Sequence, residues 1–443
     1  MSKSRPAKKK SPKSDQRVRD PIHNLIKFSS NDEDDQVLWE ILQTTPIQRL
    51  RRIKQLGFSD LIFPGASHTR FAHVLGTMQM ARRMIAVLER NKVFSDPNHK
   101  KWKRATLAAT LLHDVGHGPY SHVFEEVTEP YVHGKSHEEY TSEIIRKTEI
   151  AKILDNAGVL SETASFFDKE DQTPYRAIVS SQLDADRLDF LSRDRYFTGI
   201  RFGHIDLEWL FDSLRIEQVQ SDFDSSSKRP MFVVEQKGLG VVEEYLLSYI
   251  NLYESVYLHK TTRGFQFLIQ LALSSAFEQR AELTKAGIDS PIFRYLDNPS
   301  LELYLHLDDY DILNLIKLLA TQGKGDAKKF ASRFLNRNPL KCFEPNDPNS
   351  VPNHEKTGLL IQHLKEKEIW HHEDIPQAKG YKQYEIMEEH YLKNILIKID
   401  KTTKMPLGQL RPWLVRNTGK RFRLYFKTET DRQKAIKFWA KVS

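Results

Sequence analysis

Apolar residues recur at helical spacing along most of the chain. The pattern is clear from Asp34 to Leu42 and again from Ala72 to Leu88. A third apolar stretch starts at Leu107 and runs into His113 and Asp114, where Gly116 is placed to break the helix. Ser136-His137-Glu138-Glu139 opens a further helix with a capping box, since the Ser136 hydroxyl and the Glu139 carboxylate each satisfy a backbone amide of the other. Residues 221–230 form a polar turn, and Pro230-Met-Phe-Val-Val-Glu-Gln beside it has strand character, so a β-ribbon is expected within the helices. Loops are expected at Gln322-Gly-Lys-Gly-Asp and from Pro345 to Pro352. Beyond the second loop, Asn394-Ile-Leu-Ile-Lys-Ile and Arg421-Phe-Arg-Leu-Tyr-Phe look like strands. The predicted fold is mostly α: a helical body over residues 19–344 with a short β-ribbon, followed by a small α+β subdomain over 345–443. No internal repeat or heptad pattern interrupts it.

Composition changes this picture little. Of 443 residues 39% are hydrophobic, with 24 Phe, enough to fill a sizeable core. No apolar run approaches the roughly 18 to 20 residues of a membrane span, and the first residues lack a signal-peptide core. The expected location is the cytoplasm, or the nucleus in a eukaryote. Cys342 has no second cysteine to pair with, which fits a reducing compartment. Net charge is +8, but residues 1–20 hold eight Lys or Arg against two Asp, leaving about +2 for the rest. The segment 1–18 reads as a disordered, solvated basic tail, with a nucleic-acid or localisation arm as the alternative.

The chemistry concentrates on histidines and carboxylates. Side by side at a helix end, His113 and Asp114 point about 100° apart, so both can grip one cation. His73 and Asp186 are expected to complete the shell. Two imidazoles and two carboxylates suit Mn, Fe, Zn or Ni, and an octahedral ion keeps open positions for catalysis. His122 and Glu125 are three residues apart on one helical face, as an acid/base pair would be. His137 lies in the first turn of its helix, where the dipole favours a phosphate contact. Asp186, Phe190 and Asp194 are spaced by four and span an arc of about 80°, so they can line one pocket. The guanidinium forks of Arg70 and Arg187 match phosphate oxygens.

Three stretches carry a resemblance: Phe63-Pro-Gly-Ala-Ser-His-Thr-Arg70-Phe-Ala-His73, Leu112-His113-Asp114-Val-Gly-His117-Gly-Pro-Tyr-Ser-His122, and Asp184-Ala-Asp186-Arg187-Leu-Asp-Phe190-Leu-Ser-Arg-Asp194. Here the chain resembles the HD-domain deoxynucleoside triphosphate triphosphohydrolases, which include an animal enzyme with a sterile-alpha-motif domain in front and single-domain bacterial relatives. The likeness starts at Arg19-Asp-Pro-Ile-His and grows faint beyond Cys342. It implies His122 as general acid or base oriented by Glu125, with His137 on the phosphates; His117 is either a further phosphate contact or a residue that bridges the metal shell or holds the loop. It also implies Asp194 and Gln55 on the sugar and Tyr257 packed on the ribose ring. A deoxynucleoside triphosphate is the implied substrate, with Mg²⁺ on its phosphates. A tetramer or hexamer and an activator nucleotide near Thr44-Thr-Pro-Ile-Gln48-Arg-Leu-Arg51 are implied as well. The animal enzyme has aspartate at Glu125 and Thr44, tyrosine at Phe190 and lysine at Arg187. Loss of the phenol either loosens discrimination between deoxyribose and ribose or shifts it onto Asp194 and Gln55. The alternatives are an HD phosphohydrolase or phosphodiesterase acting on a signalling nucleotide or nucleic acid, and a non-catalytic nucleotide-binding HD fold.

Overall fold

The computed structural model describes residues 14–91, 95–132, 134–168, 173–220, 228–345, 354–376, 394–414 and 421–442. Strands β1 (Gln16–Asp20) and β2 (Asn24–Phe28) form an antiparallel hairpin with Asp20 opposite Asn24. Its turn is shaped by the Asp20 carboxylate, which accepts from the Ile22 and His23 amides. The basic tail expected to reach residue 18 therefore ends earlier, because Val18 pairs with Ile26 in the hairpin and Ile26 and Phe28 anchor it in the core. Residues 1–13 lie outside the described ones.

The helical body follows as α1 (Glu33–Leu42), α2 (Thr45–Arg49), α3 (Arg70–Arg90), α4 (His99–Leu112), α5 (His122–Thr128), α6 (His137–Lys147), α7 (Glu149–Asn156), α8 (Leu160–Asp168), α9 (Pro174–Val179) and α10 (Ala185–Thr198). α3 packs against both α4 and α10, and most of its residues are buried. α6 begins with the expected capping box between Ser136 and Glu139. α10 starts where the Asp184 carboxylate accepts from the Arg187 amide and stops at Gly199 in the left-handed region.

Close approach explains one glycine. A Cβ on Gly76 of α3 would lie 1.9 Å from Asp189 Oδ1 and 2.4 Å from Arg193 Nη2, both on α10. Gly76→Ala is expected to lower stability by about 1–3 kcal/mol, measured as a fall in the urea midpoint.

After α11 (Leu207–Ser213) comes the predicted ribbon, β3 (Leu214–Gln220) and β4 (Lys228–Glu235), fully antiparallel from Leu214–Val234 to Gln220–Lys228. Most of its expected polar turn lies outside the described residues. α12 (Leu239–Leu252) leads through one π turn, Tyr253–Tyr257, into α13 (Lys260–Glu278). The body closes with α14 (Arg280–Lys285), α15 (Pro291–Asp297), α16 (Leu301–His306), α17 (Asp309–Gln322) and α18 (Gly325–Leu335).

The remaining elements are β5 (Lys341–Phe343), α19 (His354–Glu366), β6 (His371–Asp374), β7 (Leu396–Lys398), β8 (Lys404–Pro406), α20 (Leu407–Leu410), β9 (Arg423–Phe426) and α21 (Glu429–Lys441). They do not group as a unit starting at residue 345. β5 pairs with β9, which also pairs with β6, while β7 lies parallel to β4 and extends the ribbon into a sheet ordered β3-β4-β7-β8. The edge of β4 needs a partner strand, and β7 provides it. Only part of the segment packs separately, around Leu360, Leu364, Leu424 and Phe426.

Candidate active site

The first turn of α3 carries Arg70 and His73, and the C-terminal end of α4 carries His113. α10 brings Asp186 to them. His73 Nε2 lies 2.9 Å from Asp186 Oδ1 and 3.2 Å from His113 Nε2, and His113 Nε2 lies 3.5 Å from both Asp186 Oδ1 and Asp114 Oδ1. Asp114 Oδ2 is 3.9 Å from His73 Nε2 and is paired with the Arg70 guanidinium. The four expected metal ligands thus converge, with His73, His113 and Asp186 the tightest group.

The far nitrogen of each imidazole tests whether a cation fits. His73 Nδ1 donates to Asp189 Oδ2 at 2.8 Å, and His113 Nδ1 donates to the Thr110 carbonyl at 2.8 Å. Both rings are therefore held with Nε2 turned toward the cluster, the arrangement that orients metal-bound histidines. The donor set of two nitrogens and two carboxylates fits a divalent transition metal.

Asp189 is a site residue missed by the sequence reading. It is fully buried and also accepts from His23 Nε2 and from Arg193, whose guanidinium reaches Asp20 as well. Burial alone would raise its pKa, but Arg193 and the two histidines hold the carboxyl well below its usual range. The available signal was its place three residues after Asp186, on the same side of α10, together with the Arg19-Asp-Pro-Ile-His segment that supplies Asp20 and His23.

Burial disfavours protonation of His73, but Asp186 and Asp189 outweigh it and raise the imidazole to about 10. A cation on Nε2 must displace that proton. Metal affinity is therefore expected to fall as pH is lowered below 10, by about tenfold per unit for one displaced proton. Mn²⁺ titrations between pH 6 and 8.5 measure the slope.

Beside this cluster stands a second one. Glu125 accepts from His122 Nδ1 at 2.9 Å with one carboxylate oxygen and from His137 Nδ1 at 2.8 Å with the other. Burial pushes Glu125 up, but these hydrogen bonds prevail and keep it strongly acidic. The His137 ring stacks on His117 at 4.0 Å, and His117 Nε2 lies 3.3 Å from Asp114 Oδ1. Burial and the neighbouring Arg70 hold His117 well below the usual imidazole range, so it is neutral. The chain into α5 is strained, with Tyr120 and Ser121 at positive φ (48° and 53°). Asp309 accepts the Tyr120 amide and Arg70 donates to the Ser121 hydroxyl, which fixes the turn.

A cavity of about 530 Å³ is bordered by Asp114, His117, His122, Arg70 and Asp186 at one part and by Gln55, Phe190, Asp194 and Tyr257 at another. The spacing of Asp186, Phe190 and Asp194 does place all three on it. Tyr257 donates to Asp194 Oδ2 at 2.6 Å, while His68, another residue the sequence reading left unassigned, donates to Oδ1 at 2.8 Å. Gln55 Oε1 and His117 Nδ1 are buried without a hydrogen-bond partner among the described residues. Arg187 does not border the cavity. It donates to Gln182, approaches Asp184 and lies over the Tyr249 ring, because its position is turned by about 100° from Asp186 on α10.

Residues 70–194, which carry every metal ligand above, match the model of the HD domain. The chain is also 33% identical over 348 residues to the uncharacterized protein YwfO of Bacillus subtilis, covering 75% of this chain and 73% of that one. The chain belongs to the HD-domain phosphohydrolase family. Its structure is similar to that of a phosphohydrolase from Bacteroides thetaiotaomicron, with a TM-score of 0.70 and 25% identity over 94% of this chain and 100% of that chain. The deoxynucleoside triphosphate triphosphohydrolase SAMHD1 of Gallus gallus is 27% identical over 377 residues, covering 77% of this chain and 58% of that protein. Family membership makes the chain a metal-binding hydrolase. Among the described residues no helix is long and apolar enough to cross a membrane.

Proposed function

We propose that the chain hydrolyses deoxynucleoside triphosphates to the deoxynucleoside and inorganic triphosphate. The observation that carries this reading is the Asp194–Tyr257 pair with Gln55 on the same cavity as the metal ligands. A carboxylate, a phenol and an amide oxygen without a partner suit the hydroxyl edge of a sugar, and an α-phosphate attached to that sugar falls within reach of the metal cluster. The triphosphohydrolase activity for which the SAMHD1 relative is named supports the same substrate.

A cation held by His73, His113, Asp114 and Asp186, of Mn, Fe, Zn or Ni type, supplies Lewis acidity at a phosphoryl oxygen and acidifies water. The protein's own groups do the rest. A water oxygen bonds to the α-phosphorus, the bond from phosphorus to the 5′-oxygen breaks, His122 gives a proton to the departing oxygen, and the proton lost by the attacking water passes to solvent, from which His122 is reprotonated. Its Nδ1 is held by Glu125, which leaves Nε2 to move the proton. His117 and His137 face the phosphates, Arg70 neutralises charge there, and Mg²⁺ accompanies the outer phosphates. Phe190, lacking a hydroxyl, offers the sugar a face alone.

Around the stretch implied to bind an activator, Gln48 donates to the Leu42 carbonyl and accepts from Arg51, whose guanidinium also lies 3.5 Å over the Phe71 ring. Purified Mn²⁺-loaded protein incubated with the four deoxynucleoside triphosphates, singly and mixed, tests both points. Nucleoside plus inorganic triphosphate is the expected product, and faster turnover in mixtures would reveal an activator. No turnover with any mixture would direct attention to a signalling nucleotide or nucleic acid as substrate for the same centre.

A further inference from the structure

A second wall of the cavity has a different chemistry from the metal end. Thr262, Gln266 and Gln270 are spaced by four along one face of α13, and Val123 and Glu126 of α5 border the same space. The cation on this wall, Arg263, is engaged by Asp374 through two contacts, 2.5 Å from Nη2 and 3.3 Å from Nε. Glu126 adds a negative charge. That carboxylate repels phosphate, whereas the amides and the hydroxyl suit an uncharged group with hydrogen-bonding edge atoms. Leu56, Val123 and Leu258 line the cavity too, offering apolar faces to a flat ring.

The two glutamines are oriented by their neighbours. Arg263 can only donate, so Gln266 turns Oε1 to it, at 3.3 Å, and its amide N–H groups are left to the cavity. Gln270 donates to the Glu126 carboxylate, which leaves its own Oε1 outward. Thr262 is 1% exposed, and its hydroxyl has no hydrogen-bond partner among the described residues. A buried hydroxyl without a partner is destabilising, and a ligand atom that reaches it removes the deficit.

We propose that Thr262 and Gln266 read the edge of the nucleobase directly and select bases that carry an exocyclic carbonyl oxygen, an inference that rests on the nucleotide reading above. Guanine, thymine and cytosine present such an oxygen to the Gln266 N–H and the Thr262 hydroxyl. Adenine does not. A site built to hydrogen-bond a group rejects the analogue lacking it, because its own polar atoms are left unpaired.

Equilibrium dialysis of the four 2′-deoxynucleoside 5′-monophosphates against the Mn²⁺-loaded full chain tests this without requiring turnover. The wild type is expected to bind the three carbonyl-bearing nucleotides about fivefold to tenfold more tightly than the adenine nucleotide. Thr262→Val and Gln266→Leu should each erase that preference while leaving adenine binding unchanged, and Thr262→Ser should keep it. Urea midpoints establish that each variant is folded. A wild type that binds all four alike, or variants that weaken all four equally, would overturn the inference and leave the triphosphohydrolase reading standing. A wild type that binds none of the four also overturns the inference, while turnover of the triphosphates decides the triphosphohydrolase reading separately.

Discussion

Asp186→Ala is expected to lower turnover by about 10⁴-fold, the largest effect of any single change considered, with a parallel loss of bound metal. Asp186 Oδ1 lies 2.9 Å from His73 Nε2 and 3.5 Å from His113 Nε2, so its removal leaves the two imidazoles without the carboxylate that joins α10 to the cluster. Its side chain is 35% exposed, and the core around α10 does not depend on it. The variant should therefore keep its urea midpoint and far-UV spectrum while losing Mn²⁺ by elemental analysis and activity by chromatography. Retained activity with retained metal would show that the cation is held by other groups.

The second large effect falls behind the ligands. Asp189 accepts from His73, His23 and Arg193 at 2.7 to 3.0 Å, with no exposure to solvent. Asp189→Asn removes the charge facing the buried Arg193 and puts an amide where the histidines donate. Breaking a buried pair of this type costs about 3–5 kcal/mol, and loss of the group that orients a metal-binding imidazole weakens metal affinity by about 10- to 100-fold. The pH dependence follows from the sign of the shift. Asp189 is depressed below its ordinary value in the folded protein, so its stabilising contribution is complete above the unfolded value of about 4 and is lost only as pH falls below that. Urea titrations of the two proteins should differ by a constant amount from pH 5 to 8 and converge in acid. A variant with normal stability and normal Mn²⁺ affinity would contradict the positioning role of Asp189.

The parts of this molecule that were legible in sequence are those written in short-range spacing. His113 and Asp114 are adjacent, His122 and Glu125 share a helical face, and Asp186, Phe190 and Asp194 repeat by four. Each of these local relations survives in the structure. The helices followed for the same reason, since apolar periodicity and the Ser136 capping box are local properties. What sequence could not supply was pairing across long separations. β7 lies beside β4, more than 150 residues earlier in the chain, and β9 lies between β5 and β6. No property of a three-residue strand names its neighbour, so the segment after residue 345 looked like a unit of its own. Asp189 was obscured by its surroundings: a carboxylate between Leu188 and Phe190 reads as a solvated position until Arg193, Asp20, His23 and His73 are seen to enclose it. Arg187 shows the converse. Its fork suited a phosphate, but one step along α10 rotates it away from Asp186 toward Gln182 and Tyr249.

Isotope placement tests the central claim most directly. With a deoxynucleoside triphosphate, Mn²⁺ and H₂¹⁸O, attack at the α-phosphorus puts the heavy oxygen into inorganic triphosphate and leaves the 5′-hydroxyl of the nucleoside unlabelled. Mass spectra of the separated products should show that distribution, with no label transferred in the Asp186→Ala protein. Label in the nucleoside, or formation of a deoxynucleoside monophosphate and pyrophosphate, would contradict it.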